Sequence, residues 1–156
     1  MNYNELTGNT TVVFEDMPPG MFLLGLLSSF DNRYQACADS FFKEITWKQF
    51  FAIICINVCG GNPTINQLSE VMGSSHQNVK QILLKLEKKG FVKMISDEQD
   101  KRKQRIQITA SCEEFCNSRD EECQRKLEHL FTGISDEEFF TAIRVIGQMD
   151  NNVKDM

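Results

Sequence analysis

The stretch from Thr64 to Thr109 constrains the fold more than any other part of the sequence. It contains two short amphipathic segments, Ile65 to Met72 and Ser75 to Lys89, which are separated by a turn at Gly73. Two strand-like runs follow, FVKMIS and RIQIT, joined by the charged tip DEQDKRKQ. Helix, tight turn, helix and hairpin in this order predict a winged helix-turn-helix, in which the second helix can enter the DNA major groove.

Positive charge is concentrated in the same stretch. Residues 73–109 contain nine of the chain's 17 Lys and Arg residues but only four of its 22 acidic residues. The rest of the chain therefore has eight basic and eighteen acidic residues, and the net charge of the whole is −5. A local basic surface on an acidic protein favours a specific nucleic-acid site over indiscriminate coating.

The second helix of the motif should expose its first turns. Ser75 is the favoured N-cap, and the buried face would consist of Val79, Ile82, Leu83 and Leu86. Gln77 and Asn78 on the outer side can pair with an adenine edge, and Lys80 can reach guanine or phosphate. A merely solvated helix start is the alternative, but the adjacent hairpin and the clustered charge favour DNA contact.

The remaining segments predict a mainly α protein. Apolar residues recur at three- and four-residue steps from Met21 to about Phe42, which predicts a long amphipathic helix. Trp47 to about Val58 is apolar almost all round and should be central and buried. Two helices should follow the hairpin, one ending near Phe131 and one with an apolar face. Four capping boxes mark predicted helix starts, at Thr46/Gln49, Thr64/Gln67, Ser111/Glu114 and Ser135/Glu138.

The terminal helices have more apolar surface than one small lobe can cover, so we expect a two-fold homodimer. The predicted organisation is a flexible arm over 1–19, a winged helix-turn-helix over 46–109, and a helical dimerisation region formed by 20–45 and 110–156.

No segment is expected to cross a membrane, because the longest apolar runs, MFLLGLL and FFAIICI, are far shorter than the roughly 20 residues needed. No Lys or Arg precedes Arg33, so a secretory signal is not expected either. We therefore expect a cytoplasmic protein whose six cysteines are reduced thiols.

The wing resembles that of the multiple-antibiotic-resistance regulator (MarR) family of bacterial transcription factors. That family's wing reads Asp-x-Arg-Asp-x-Arg, followed after three residues by an aliphatic residue, any residue, Leu and Thr. The matching residues here are Asp97, Asp100, Arg102, Ile106, Ile108 and Thr109. The helix-turn-helix also suits the family pattern at Leu68, Val71, Gly73, Ser75, Val79, Leu83, Leu86 and Gly90. The resemblance covers roughly residues 20–150.

The resemblance implies that Arg102 enters the minor groove from the wing tip and that Asp100 steadies the tip. A narrow A·T-rich groove concentrates negative potential, which suits a guanidinium. Two residues depart from the pattern, since Gln99 replaces a frequent Arg and Ser75 replaces an Asp that pairs with the tip Arg in some members. The predicted DNA-binding residues are Thr64, Ser75, His76, Gln77, Asn78, Lys80, Gln81, Asp100, Lys101, Arg102 and Lys103.

The resemblance also implies a small aromatic or phenolic effector bound between the helical and DNA-reading lobes. The residues to inspect are Phe30, Tyr34, Trp47 and Phe51, with Arg33 for an anionic group. Core packing is the favoured explanation for the aromatic residues, and solvation for Arg33.

Cysteines give the main rival signal. Cys112 lies in a predicted first helical turn, where the pKa of a thiol can be lowered, so it is a redox candidate. Cys112 and Cys116 could also serve a redox- or metal-responsive regulator. No Cys-x-x-Cys or suitably spaced His is present, so no metal site is predicted, and a small buried hydrophobe is the favoured interpretation of each Cys.

No enzyme motif is found, and no cofactor is expected. The leading hypothesis is a homodimeric regulator, a repressor released by a small-molecule effector, bound to a pseudo-palindromic operator in double-stranded DNA. A winged helix used only for protein contact is the alternative from a different class.

Overall fold

A computed structural model describes residues 3, 7–8, 17–98, 100–101 and 103–156. The chain divides into two compact units, Met1–Thr109 and Ala110–Met156, called the first and second units below. Most of the predicted N-terminal arm, and the two wing-tip residues Gln99 and Arg102, lie outside the described residues.

Within the described residues, the first unit has four helices with defined bounds and one antiparallel hairpin. Its elements are α1 (Pro19–Phe42), α2 (Trp47–Val58), α3 (Ile65–Val71), α4 (His76–Lys88), β1 (Val92–Ser96) and β2 (Gln104–Ile108). The second unit contains α5 (Ala110–Leu130) and α6 (Asp136–Lys154). The predicted fold class, a mainly helical protein with a winged helix-turn-helix, is confirmed.

Side-chain caps explain where most helices begin. At the start of α2, the Gln49 amide donates to Thr46 Oγ1 and the Thr46 amide donates to Gln49 Oε1, both at 3.3 Å. The same reciprocal pair is present at Thr64/Gln67 and at Ser135/Glu138. Each box satisfies amides that the first turn of a helix leaves without a partner.

The predicted capping box at Ser111 is wrong. α5 begins one residue earlier, at Ala110, so Ser111 lies inside the first turn. The preceding residue, Thr109, is held by the hairpin, since its amide donates to Phe91 O at 3.1 Å and its hydroxyl to Gly90 O at 2.6 Å. The helix therefore starts where the second strand's last contacts end.

The core of the first unit lies around α4, which packs against α2, α3 and β1. Its predicted apolar face is buried, with Leu83 and Leu86 at 0% exposure, and Leu68 of α3 and Ile106 of β2 are also at 0%. Full burial of each such side chain is worth about 1.5–3 kcal/mol. This face therefore fixes the rotation of α4 and turns its polar side outward.

α2 is less buried than its composition suggested. Ala52, Ile53 and Ile56 are at most 2% exposed, but Ile54 is 37% exposed and Val58 is 70% exposed. The prediction of a wholly buried helix is therefore wrong on one face, because α1, α3, α4 and β2 cover only the opposite side of this helix.

The second unit leaves nearly all of its apolar residues uncovered. α6 has no buried residue, and Phe140 and Val153 are each 66% exposed. The turn between the helices is held by an edge-to-face contact of Phe131 with Phe139, with ring centroids 5.1 Å apart. None of the described helices is both long enough and apolar enough to cross a bilayer.

Candidate nucleic-acid interface

The first turns of α4 present a row of polar side chains. Ser75 is the N-cap as predicted, and its hydroxyl accepts from the Asn78 amide at 3.3 Å. Because Val79 is fully buried, the residues around it face outward. The exposed residues of this surface are His76, Gln77, Asn78, Lys80 and Gln81.

Asn78 is already engaged within the protein. Its side-chain Nδ2 donates to Ser74 Oγ at 2.8 Å. An amide that reads an adenine edge uses its oxygen and its NH₂ group together. Asn78 must therefore exchange its bond to Ser74 for the base, whereas Gln77 is exposed with no such bond described.

The wing is a regular two-stranded ribbon closed by a hydrogen-bonded turn. Val92 pairs with Ile108 at its base and Ser96 with Gln104 near its tip. The Asp97 amide donates to Lys103 O at 3.0 Å, and the Lys103 amide donates to Asp100 O at 2.8 Å. These bonds position the tip segment immediately beyond the last strand pair.

Asp97 anchors this turn, a role that the sequence analysis did not assign. Its side chain is buried at 6% exposure, although it is charged. Oδ1 accepts from the Asp100 amide at 2.8 Å, and Oδ2 pairs with Arg105 Nε. A buried carboxylate is tolerated only when it is paired in this way. The signal that could have found it is an Asp at the first position of a turn.

Arg105 extends the anchor to the segment that leads into α3. Its guanidinium donates to Asn62 O at 2.9 Å, and the neighbouring Ile106 amide donates to Pro63 O at 2.9 Å. A bridge between Thr64 and Arg105 continues the pairing. The wing is therefore attached to the helix-turn-helix through backbone and side-chain bonds that lie far apart in sequence.

The family resemblance implied that Asp100 steadies the wing tip. Its side chain is half-buried and lies beside Lys103. The closest oxygen of Asp100 is 3.8 Å from Lys103 Nζ. The exposed Lys101 follows it in the turn. Within the described residues, the turn itself is held chiefly by Asp97.

Two open clefts join the wing to the helices. The first, of about 250 Å³, brings together Thr64, His76, Lys80 and Lys103, four of the predicted DNA-binding residues. The second, of about 450 Å³, is lined by Thr64, Asn66, Gln67, Asp97, Asp100, Lys103 and Arg105. The start of α3, the start of α4 and the wing turn thus share one polar surface, named the α4–wing surface below.

The predicted effector residues are only partly brought together. Tyr34 contacts Phe30, with centroids 5.9 Å apart, and meets Trp47 edge-to-face at 4.7 Å, while Trp47 stacks on Phe51 at 5.9 Å. These rings pack against one another, but Phe30 is 46% exposed and the other three are only half-buried, so the core-packing explanation stays a prediction. Arg33 instead lines a cleft of about 720 Å³ along α1 with other residues, including Met17, Met21, Phe22 and Leu26.

The cysteines behave differently from the expectation for Cys112. A hydrogen bond with Cys116 and burial raise the pKa of Cys112, in contrast to the lowering expected from its first-turn position. The same hydrogen bond lowers the pKa of Cys116 to about 7. Across the described ranges, no group of three or more His, Cys, Asp or Glu residues could hold a metal ion.

Comparison with known proteins gives the same architecture. Residues 45–103, which span α2 to the wing, match the model of the MarR family. The matched segment is a MarR-type domain of 59 residues. The resemblance predicted from the wing and helix-turn-helix residues is thereby confirmed.

Solved structures extend the MarR-type likeness beyond the matched segment. A MarR protein from Peptoclostridium difficile superposes with a TM-score of 0.77 and 21% identity over 94% of this chain and 95% of its own. MepR from S. aureus, in complex with DNA, gives 0.73 and 20% over 82% and 95%. The organohalide-sensing regulator RdhR, in a 2,4-dichlorophenol-bound form, gives 0.77 and 16% over 92% and 87%. At these identities the likeness establishes the fold.

Proposed function

We propose that this protein is a sequence-specific DNA-binding transcription regulator that reads double-stranded DNA with its α4–wing surface. The observation that carries the proposal is the convergence of His76 and Lys80 on α4 with Lys103 of the wing at one open cleft. In this arrangement α4 lies in the major groove and the wing contacts the neighbouring minor groove. The DNA complex of the structurally similar MepR supports the same use of the fold.

Each residue has a role set by its chemistry. Gln77, Asn78 and Gln81 are exposed amides suited to base edges, and Lys80 can reach guanine or phosphate. The wing lysines Lys101 and Lys103 are exposed and suited to phosphate oxygens. Thr64, Ser75 and His76 border the same surface, and Asp100 supports the turn. Arg102, which lies outside the described residues, is assigned to the minor groove through the MarR wing pattern alone.

The active form is proposed to be a homodimer on a pseudo-palindromic operator. The uncovered apolar side chains of α6, among them Phe140 and Ile143, need an occupant, and a second copy of the chain supplies an identical face. Two α4–wing surfaces related by a two-fold axis would address half-sites about one helical turn, roughly 10 bp, apart.

We further propose that the protein is a cytoplasmic repressor released by a small effector. An effector that changes the separation of the two α4–wing surfaces prevents both from docking on DNA together. A shift of about a few kcal/mol in this conformational equilibrium is enough to switch occupancy of the operator. The structurally similar RdhR is in a 2,4-dichlorophenol-bound form, which supports an aromatic ligand. The cleft beside Arg33 is the better site for it, since the rings of Tyr34, Trp47 and Phe51 already fill their own space.

The decisive experiment is a mobility-shift titration with DNA from the regions flanking the coding sequence, using scrambled duplex as competitor. Specific binding through several phosphate contacts should weaken on the order of 10³-fold between 50 and 200 mM salt. Lys80→Ala and Lys103→Ala should each weaken DNA binding. Each should also reduce by about one the slope of log binding constant against log salt concentration.

Lys154→Ala is a matched control. Lys154 is 60% exposed and pairs with Asp150, much as Lys103 is 64% exposed and lies near Asp100. The control should bind like the parent protein. Equal affinity for flanking and scrambled DNA would instead favour a winged helix that contacts an acidic protein.

A further inference from the structure

The wing is attached to the rest of the first unit both at its base and near its tip. At the base, Val92 pairs with Ile108. Near the tip, Arg105, the second residue of β2, is bonded to residues 62–64. Val92 and Ser96, the two ends of β1, are roughly 13 Å apart at about 3.3 Å per residue. The second attachment therefore fixes the wing close to its turn, far from the base of the ribbon.

A continuous chain of bonds forms this second attachment. Oδ1 of Asp97 accepts from the Asp100 amide at 2.8 Å, and Oδ2 of Asp97 pairs with Arg105 Nε. A different nitrogen of the same guanidinium, Nη1, donates to Asn62 O at 2.9 Å. One guanidinium therefore joins the wing turn to the segment that leads into α3.

The segment at the far end of this chain is itself fixed. The Thr64 amide donates to Gln67 Oε1 at 2.9 Å, and the Gln67 amide donates to Thr64 Oγ1 at 3.3 Å. Pro63 is buried, and its carbonyl accepts from the Ile106 amide at 2.9 Å. α3 is held in the core by Leu68, which is completely buried. The guanidinium therefore bonds to a segment whose position relative to α3 is determined.

The chemistry of the two charged residues favours a role within the protein over a contact with DNA. Asp97 is 6% exposed, and its carboxylate has the same sign of charge as a phosphate, so a contact between them would be repulsive. The side chain of Arg105 is 41% exposed, but two of its nitrogens already donate to Asp97 and to Asn62. Both charges are therefore committed to bonds inside the first unit.

We propose that Asp97 and Arg105 are positioning residues for DNA binding, which hold the wing turn at a fixed distance from α3 and do not contact DNA themselves. This inference rests on the proposed function, in which α4 and the wing contact neighbouring grooves together. A two-stranded ribbon is at best marginally stable alone. A wing released near its tip must be ordered each time DNA binds, and this ordering lowers the affinity.

Asp97→Asn separates the effect of position from that of charge. The variant loses a negative charge beside the DNA, so charge alone would strengthen binding. Its side chain can still accept from the Asp100 amide, but it presents an NH₂ group instead of an oxygen to Arg105. We therefore expect binding of DNA from the flanking regions to weaken about tenfold in a mobility shift. Glu98→Gln is the matched control, since Glu98 is the next residue, is exposed and loses the same charge. This control should bind at least as tightly as the parent protein.

Arg105→Lys tests the other side of the pair. The substitution keeps the positive charge, so charge alone predicts unchanged affinity. A single ammonium group cannot reproduce the planar guanidinium that bonds Asp97 and Asn62 at once. We expect a loss of about tenfold here too, and the double variant with Asp97→Asn should lose about tenfold, not the roughly hundredfold expected of independent residues.

Methylation of bound DNA by dimethyl sulfate distinguishes the two grooves in one experiment. The reagent modifies guanine N7, which lies in the major groove, and adenine N3, which lies in the minor groove. The parent protein should protect both kinds of site. At saturating concentration, Asp97→Asn and Arg105→Lys should keep the guanine protection beneath α4 and lose the adenine protection beneath the wing. A residue needed only for folding would lower both protections together, and circular dichroism verifies that each variant is folded.

The positioning role is overturned if Asp97→Asn binds as tightly as Glu98→Gln, or if both pair variants retain the adenine protection. A parent protein that binds no DNA refutes the proposed function and with it the role in DNA binding. Hydrogen exchange without DNA still tests the attachment itself. Asp97→Ala removes the acceptor of the Asp100 amide, whose exchange should become at least about tenfold faster than in Glu98→Ala. Equal exchange in these two variants would show that Asp97 does not hold the turn.

Discussion

The two compact units differ in how completely each covers its apolar side chains. In the first unit Leu68, Leu83, Leu86 and Ile106 are all fully buried. In the second unit, residues 110–156, Cys112 is the only buried residue, and Phe140 is 66% exposed. The first unit therefore closes its core with its own residues, whereas α5 and α6 do not.

The difference teaches which part of the chain can be stable alone. Isolated helices shorter than about 12–15 residues are marginal in water even when rich in Ala, and most helical stability in proteins comes from tertiary packing. The 19 residues of α6 have an apolar face but bury none of it within this chain. On the proposed homodimer, the second unit gains its stability from association, whereas the first unit gains it from its own interior.

Truncation of a core side chain in the first unit should have the largest effect. Leu83→Ala removes a fully buried side chain, and we expect a loss of about 2–5 kcal/mol in the free energy of unfolding. Trp47 is the chain's only tryptophan, and its fluorescence during urea unfolding reports on this unit. Leu84→Ala is the control, since Leu84 is 41% exposed and its truncation should cost far less. Equal losses from both variants would mean that the core is placed incorrectly.

Substitution of an exposed apolar residue on α6 should weaken the proposed dimer. Phe140→Ser removes an exposed ring whose burial by a partner is worth about 1.5–3 kcal/mol. The dimer dissociation constant, measured by sedimentation equilibrium, should therefore rise at least about tenfold. Unfolding followed through Trp47 at low protein concentration should be unchanged.

Thr141→Ser, at the next exposed position, is the matched control and should dimerise like the parent protein. An unchanged dissociation constant in Phe140→Ser would show that a different face mediates dimerisation. If the parent protein sediments as a monomer at all concentrations, dimerisation does not explain the exposed apolar surface of the second unit.

Local patterns in the sequence predicted the elements well. Apolar periodicity or a capping box identified each of α1 to α6, and the alternation around the charged tip identified the hairpin. Glycine positions were also informative, since Gly73 and Gly90 adopt positive φ values of 59° and 76° where the chain turns. Such features depend on neighbouring residues alone, so a single sequence is enough to recognise them.

Contacts between distant residues could not be predicted in the same way. The bond from Arg105 to Asn62 spans 43 positions, and no periodicity encodes it, so the anchoring role of Asp97 was missed. The pKa values of Cys112 and Cys116 depend on the contact between their side chains, which helix position alone does not encode. The capping box at Ser111 failed because the hairpin, which the motif does not describe, determines where α5 begins.

The smallest expected effect is on the free energy of unfolding when a helix cap is removed. Thr46 caps α2 in the first unit, whereas Ser111, which the sequence predicted as a cap, lies inside the first turn of α5. Thr46→Ala removes the hydroxyl that accepts from Gln49 and should cost about 0.5–2 kcal/mol, measured as a shift of the Trp47 urea transition. Ser111→Ala should remain within about 0.5 kcal/mol of the parent protein by far-UV circular dichroism, because an exposed serine within a helical turn is replaced by a better helix former. If Ser111→Ala instead destabilises the protein as much as Thr46→Ala, Ser111 caps α5 and the predicted capping box is restored.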